Sequence, residues 1–283
     1  MKGFYRPYGD FGAIAEIYDQ HRYPYDTSIF RDIFSQMYFS PEEGQREFRF
    51  LDIGCGTGHS TFALAQAAAV HLPTGSTYKI IGIDVDPRMI HKAMQNNKDT
   101  SRIVFMTSNI DENLNIGRNF DMILCASAFH WISKDEDAIK RTYFLLRGSF
   151  KEGKSEKFPF VILNRDIISP SGFKERIREY VSESLGYSID ALPNIKKEYY
   201  PSQILSDNKF VRIISLPEKE VKSKTTPEQL ARYATSISLW NCIPQEKQED
   251  VYTRFLAEME LCAQNKVVDM KEWYSIVVGY RQR

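Results

Sequence analysis

Cysteine is sparse in this chain of 283 residues: Cys55, Cys125, Cys242 and Cys262 are widely scattered, with neither a CxxC pair nor the density of a disulfide scaffold. Reduced thiols are therefore expected. The five histidines, His21, His59, His71, His91 and His130, form no metal-ligand spacing such as HExxH, so no structural or catalytic metal is expected. Net charge is absent as well. With 37 Lys and Arg against 37 Asp and Glu, no sequence-wide field draws the chain to phosphate backbones, and nucleic acid is not expected as its main partner. Long apolar runs are missing too. The longest, 62–70, is interrupted by Gln66 and falls far short of the roughly 20 residues that span a bilayer. Met1 to Phe11 carries Lys2, Arg6 and Asp10 among aromatics with no signal-like apolar stretch, so no membrane association and a cytoplasmic location are the expectations.

What is present reads as an ordinary globular protein: 42% apolar and 26% charged residues, in a chain long enough for one large domain with an inserted cap. The first half alternates strand-like and helix-like segments, the pattern of a parallel sheet with crossover helices. Strands are predicted at Phe48 to Ile53, Lys79 to Asp84, Arg102 to Thr107, Phe120 to Ala126 and Phe158 to Asn164. An Ala-rich helix begins near Gly58, with Phe62, Leu64 and Ala65 inward. Another is capped by Asp86, opens on Pro87 and presents Met89, Ile90, Ala93 and Met94 as its apolar face. Ahead of the sheet, Thr27 to Phe39 places Ile29, Ile33, Phe34 and Met37 at helical spacing and forms a helical cover.

Beyond the fifth strand the alternation stops. Ser171 to Leu185 reads as a lid helix with Phe173, Ile177, Tyr180 and Val181 inside, and Phe210 to Ser215 as a strand. Helices follow from Thr226-Pro227 (Leu230, Tyr233, Ile237) and from Pro244 (Val251, Phe255, Met259), and the chain closes on a strand at Trp273 to Tyr280. Lys196-Lys197 and Lys222 to Lys224 read as solvated surface charge. The expected architecture is α/β: a doubly wound, mostly parallel, seven-stranded sheet in a single domain over 1–283. Its parts are a helical cover (1–44), a core (45–166), a lid with late sheet elements (167–270) and a closing strand (271–283).

The segment Leu51-Asp-Ile-Gly-Cys-Gly-Thr-Gly58 joins a buried strand to a helix, the place where an open α/β sheet binds its ligand. Glycines at 54, 56 and 58 permit a sharp turn and close approach. A dinucleotide fold wants G-x-G-x-x-G, whereas here the third glycine comes one residue early, which argues against a pyrophosphate and nicotinamide chemistry. Ile80-Ile-Gly-Ile-Asp84 ends the second strand in an acid suited to two ribose hydroxyls. A nucleoside without phosphate chemistry points to a sulfonium cofactor.

On Asp52-Ile-Gly-Cys-Gly-Thr-Gly58, Ile83-Asp84, Phe120-Asp-Met-Ile and Phe129-His130-Trp131, with Tyr18, Arg22-Tyr-Pro24 and the closing strand at Trp273, the chain resembles the class I S-adenosylmethionine-dependent methyltransferases. Within them it resembles the trans-aconitate methyltransferase-like small-molecule enzymes, over most of 11–166. The resemblance implies S-adenosylmethionine as cofactor, with Gly54, Cys55 and Gly56 along its methionine part, Asp52 ordering the turn together with Gly58, Asp84 on the ribose and Val85 on the adenine. It also implies Asn109 and Ile110 at the adenine edge and the Ala126 carbonyl near the cofactor's amino group. The family often has an acid where Asn109 stands; here an amide oxygen is the acceptor on offer.

Several of these residues have a second reading. Asp52 suits backbone N–H bonds within the turn as well as a ligand. Tyr18 and Arg22, four apart on a helix, could close over a carboxylate, or be a packing tyrosine beside a surface arginine. His130 and Trp131 stand at the functional edge of the sheet, His130 as a residue that positions the methyl acceptor and both as pocket lining; core packing is the alternative. Tyr233 and Trp240, like Tyr199-Tyr200, are candidate walls of the acceptor pocket, with core packing the favoured reading for each individually. The expected function is methyl transfer to a small polar metabolite, on a carboxylate oxygen as the subfamily resemblance implies. A catalytically silent nucleoside-binding module and a protein or RNA methyltransferase are the alternatives. The acceptor's identity and the oligomeric state are not legible in the sequence.

Overall fold

The computed structural model describes residues 10–38, 45–148, 157–170, 172–191 and 200–282. In chain order they form α1 (Ala15–His21), α2 (Thr27–Phe34), β1 (Glu47–Ile53), α3 (His59–His71), β2 (Thr77–Asp84), α4 (Pro87–Asn96), β3 (Ile103–Thr107) and β4 (Met122–Ala126). There follow α5 (Phe129–Ile132), α6 (Glu136–Leu145), β5 (Pro159–Ser169), α7 (Phe173–Leu185), α8 (Pro201–Asp207), β6 (Val211–Ser215), β7 (Lys219–Thr225), α9 (Pro227–Thr235), α10 (Gln248–Leu261) and β8 (Val268–Tyr280).

Local chemistry explains most of the boundaries. Asp26, Asp86 and Asp135 each cap a helix by accepting a backbone N–H, from Ser28, Arg88 and Ala138 respectively. Thr226 and Gln229 form a reciprocal capping box at the start of α9. Gly186 ends α7 in the left-handed region, φ 76°, its N–H returned to the Ser182 carbonyl. The helix expected to reach Phe39 stops at Phe34, because Gln36 and Met37 donate to the carbonyls three residues back and tighten the last turn. Met37 is buried all the same, and Phe39 lies outside the described residues. Met94, expected on the buried face of α4, is instead 58% exposed while Met89, Ile90 and Ala93 are buried. It sits at the edge of the apolar stripe those three define.

The sheet order is β3-β2-β1-β4-β5-β8-β6, with β7 pairing β8 off this path. Pairings β1/β2, β2/β3, β1/β4 and β4/β5 are parallel and β6/β8 is antiparallel, so the expected doubly wound, mostly parallel sheet is observed, with eight strands rather than the expected seven. In β1/β2, Asp52 pairs with Gly82 and Ile53 with Ile83, which brings the carboxyl ends of both strands level. Strand order reverses at β1, between β2 and β4, the position where such sheets bind ligands. Strand β7 was not expected: Lys222 to Lys224 lie in it, as solvated as predicted but hydrogen-bonded as an edge.

The chain divides into two compact units. A sheet unit comprises Pro24–Arg165, Glu198–Glu218 and Tyr274–Arg283, and a helical unit comprises Met1–Tyr23, Asp166–Lys197 and Lys219–Trp273. Each has its own apolar core. In the sheet unit Leu51, Ile123, Phe129 and Phe160 are fully buried together; in the helical unit Val181, Leu230, Ala231 and Phe255 are. No helix among the described residues is long and apolar enough to cross a membrane.

The amino-terminal edge of the parallel strands is fastened by Asp121, fully buried just ahead of β4. Its oxygens accept both terminal nitrogens of Arg46 at 2.9 Å and the Arg49 backbone N–H at 2.8 Å. Arg147 Nε also comes within 2.8 Å but without hydrogen-bond geometry. The two contacts therefore differ in worth. Asp121→Asn, which leaves the arginines facing an uncharged amide, should lower urea-unfolding stability by about 3 kcal/mol, whereas Arg147→Gln should cost under about 1 kcal/mol. Equal losses would show that the pairing with Arg46 carries no special weight.

Candidate functional site

The turn after β1 runs through Gly54, Gly56 and Gly58 at φ +67°, +54° and +96°, a backbone path that side chains with a Cβ rarely follow. Space adds a second restriction at two of them. A Cβ on Gly54 would lie 2.5 Å from that of Ala128, and one on Gly58 would lie 2.8 Å from the Phe62 ring. Those two glycines let the protein pack against itself. Gly56 is the one whose backbone is tied to an acid: its N–H donates to Asp84 Oδ2 at 2.9 Å.

Asp84 closes β2. Its other oxygen accepts the Asp86 N–H at 3.0 Å, so both carboxylate oxygens are held by the backbone and each keeps acceptor capacity. Burial raises its pKa above the ordinary value, with the two backbone N–H bonds opposing. Beside it Val85 is 66% exposed, an open apolar surface next to a fixed acid. The Ile83 carbonyl accepts both the Gly54 and Cys55 N–H groups, at 2.8 and 3.0 Å, and so ties the turn to β2. Cys55 is buried and its thiol is pushed well above the ordinary range, first by that burial. It is a packing residue rather than a nucleophile.

Asp52 is fully buried, and its Oδ2 accepts the hydroxyls of Ser60 and Thr61 at 2.7 and 2.6 Å. The expectation that it orders the turn through backbone N–H groups thus changes in detail: side-chain hydroxyls on α3 are its partners. Its Oδ1 has no hydrogen-bond partner among the described residues.

The carboxyl end of β4 adds Ala126, buried, and Ser127, which takes φ +54° although it is not glycine. That conformation brings the Ser127 N–H to the Leu163 carbonyl at 2.7 Å and sets Ala128 against Gly54. Ser60, Thr61, Ser127 and Ala128 were not singled out from sequence. The hydroxyl pair straight after the glycine run was the available signal for the first two. Asn109 is exposed, with its amide oxygen accepting the Ile110 N–H at 2.8 Å, and Ile110 is buried among sheet-unit residues. On α5 the His130 and Trp131 rings lie 4.7 Å apart, with Trp131 42% exposed.

The remaining candidates belong to the helical unit. The Arg22 guanidinium lies 4.7 Å from the centre of the Tyr18 ring and 4.9 Å from that of Tyr233. It also donates to the Tyr233 hydroxyl at 2.8 Å and to the Ser236 carbonyl at 3.0 Å. The pair Tyr18 and Arg22 therefore meets Tyr233, which was picked separately from the sequence. Tyr233 and Trp240 are both core residues there, Trp240 edge-on to Phe255 at 5.8 Å. Tyr200 is exposed, and Tyr199, Lys196 and Lys197 lie outside the described residues.

A parallel sheet in this order, with a glycine turn locked to an acid at the end of the second strand, defines a Rossmann-like methyltransferase fold. Residues 50–148 match the family described as a methyltransferase domain. Over 102 residues it is 26% identical to malonyl-[acyl-carrier protein] O-methyltransferase 1 of Ilyobacter polytropus, covering 36% of this chain and 35% of that one. The chain spans well under half the length of the curated relatives it matches. Among solved structures it is similar to the YcgJ protein of Bacillus subtilis, at TM-score 0.51 and 16% identity, covering 90% of this chain and 98% of that one. It is also similar to Haemonchus contortus phosphoethanolamine N-methyltransferase 2, solved with phosphomonomethylethanolamine and S-adenosylhomocysteine. That match has TM-score 0.51 and 15% identity and covers 96% of this chain and 58% of that one. At these identities the structures show the shared fold.

The buried carboxyl of Asp52 has a measurable consequence. Burial pushes its pKa up to about 6, with the Thr61 and Ser60 hydroxyls opposing and the Asp84 charge adding to the rise. Because an unfolded aspartate titrates near about 4, the folded state holds the extra proton between the two values. Stability is therefore greatest below about pH 4 for this group and is lost as pH rises through about 6, by about 3 kcal/mol in all. Asp52→Asn keeps an oxygen for Ser60 and Thr61 and removes the titration. Urea unfolding of both proteins across this window should show the wild type losing stability relative to the variant as pH rises; parallel curves would mean Asp52 is not perturbed.

Proposed function

We propose that the protein transfers the methyl group of S-adenosylmethionine to a small polar metabolite. The observation that carries this is the Asp84 carboxylate held between the Gly56 and Asp86 N–H groups, at the end of β2, inside the segment that matches a methyltransferase domain. Both oxygens are fixed before any ligand arrives and retain lone pairs for two hydroxyls, the feature a ribose offers. The unpartnered buried Asp52 Oδ1 and the exposed Val85 fit the same nucleoside: one is a further acceptor in the turn, the other an apolar face for a purine.

When bound, S-adenosylmethionine supplies a sulfonium methyl open to in-line displacement. The chain's task is to bind, align and exclude water. Asp84 holds the ribose, the Gly54-Cys55-Gly56 backbone lies along the methionine part, Val85, Asn109 and Ile110 border the adenine, and the Ala126 carbonyl takes the amino group. His130 and Trp131 align the acceptor. A carboxylate acceptor is already ionised near neutral pH and needs no general base, which agrees with the lack of an evident catalytic dyad among the described residues. An oxygen acceptor also agrees with the O-methyltransferase among the relatives.

Two experiments test this reading. Calorimetry should find S-adenosylhomocysteine binding to the wild type and a loss of about 1.5–3 kcal/mol in Asp84→Ala. Gly56→Val should bind no more tightly than that variant; normal affinity in folded Asp84→Ala would remove the acid from the site. With an organic-acid panel, S-adenosylhomocysteine release should reveal turnover. Trp131→Ala should then raise the acceptor's KM with cofactor affinity kept, and His130→Asn should leave the rate profile flat between about pH 6 and 8. Turnover on protein or RNA but on no organic acid would overturn the acceptor while sparing methyl transfer.

A further inference from the structure

The helical unit contains a cavity of about 310 Å³ built from α1, α9, the 3-10 turn Trp240–Cys242 and the start of α10. Ile14, Ile17 and Trp240 supply its apolar wall, and His21, Arg232, Asn241 and Tyr252 its polar groups. All of these belong to one unit. The volume is at the lower limit of small-ligand pockets, about 300 Å³, and far above what a single water needs.

Two of its polar groups are unspent among the described residues. Asn241 is 1% exposed, and its Nδ2 has no hydrogen-bond partner among the described residues. The Tyr252 hydroxyl, at the end of a half-buried side chain, is also buried and without a partner among them. A buried donor left unpaired costs about 1–3 kcal/mol, so two beside one cavity call for something to receive them. Arg232 adds a third donor: its Nε and Nη2 engage Glu228 at 3.0 and 2.8 Å, leaving Nη1 outside that pair. The one carboxylate on the lining, Glu249, is exposed and screened by solvent. The Gln248 amide nitrogen is already spent on the Ile243 carbonyl at 3.0 Å.

We propose that this cavity binds a small organic carboxylate, its oxygens accepting from Asn241 Nδ2, the Tyr252 hydroxyl and Arg232 Nη1 while its carbon skeleton lies against Ile14, Ile17 and Trp240. A carboxylate is the matching group because it only accepts, at two oxygens, whereas an amide brings donors that meet donors. Arg232 supplies the matching cationic charge on the lining. The proposal does not rest on methyl transfer.

Trp240 provides the readout, since the chain has three tryptophans and its indole N–H resonance is assigned by comparison with Trp240→Phe. The full chain, labelled with ¹⁵N, is titrated with benzoate, hexanoate, benzamide and hexanamide. At least one carboxylate should shift the Trp240 indole resonance saturably with Kd below about 5 mM, and its amide should bind at least about fivefold more weakly. Tyr252→Phe, which deletes one oxygen, and Asn241→Leu should each weaken that carboxylate by about fivefold or more, with S-adenosylhomocysteine affinity unchanged. Should Asn241→Leu fail to fold, Tyr252→Phe decides. The proposal is overturned if neither acid saturates the shift, if amides match acids, or if Tyr252→Phe binds like the wild type.

Discussion

Everything at the carboxyl edge of the sheet depends on one carbonyl and one carboxylate at the end of β2. Ile83 O receives the Gly54 and Cys55 N–H groups, and Asp84 receives that of Gly56. Three consecutive backbone donors leaving β1 are thereby satisfied by two consecutive residues of its neighbour. The chain cannot make that approach with ordinary φ angles, which is why the turn is glycine at alternate positions. It also requires β1 and β2 in register through Ile53 and Ile83. A slip of one residue would remove the acceptors from beneath the turn.

Three buried or partly buried aspartates in the sheet unit show how environment divides similar side chains by task. Asp121, at the amino edge, is matched by Arg46 and is a fastening. Asp52 has hydroxyl partners only, so its charge is poorly compensated and its carboxyl is pushed up to about 6. Asp84 is held by backbone dipoles and keeps one face toward the strand ends. The fastening and the site stand at opposite ends of the same strands. Loops at the carboxyl end can therefore vary without loosening the other edge.

The helical unit is organised differently, around aromatic contacts and polar groups within its own walls. Tyr180 donates to Glu258 at 2.6 Å and packs edge-on against Phe255, while Tyr233 stacks on Tyr23 and holds Arg22. Such networks fix the side chains near them, because each buried hydroxyl or guanidinium must keep its partner. Asn241 Nδ2 and the Tyr252 hydroxyl, without hydrogen-bond partners among the described residues, depart from that accounting.

Much of the sheet unit was legible in the sequence because local signals and tertiary demands coincide there. Apolar strands, Asp86-Pro87 and the glycine run each specify their own geometry within a few residues, and five strands, two helix starts and the acid at Asp84 follow from them. Strand β7 was not legible: Lys219–Thr225 is a charged edge whose only strand signal is the β8 backbone beside it. Nor was the role of Ser60 and Thr61, since nothing local says that a hydroxyl on α3 will meet Asp52. Tyr18 and Arg22 could be paired by their spacing but not joined to Tyr233, because more than two hundred residues separate Arg22 from the hydroxyl it binds. The sequence by itself determined the alternation of elements, the turn and its acid, all set by short-range sterics and hydrogen bonding. Only the tertiary structure decided which buried polar groups find partners, because that depends on chain segments brought together by packing.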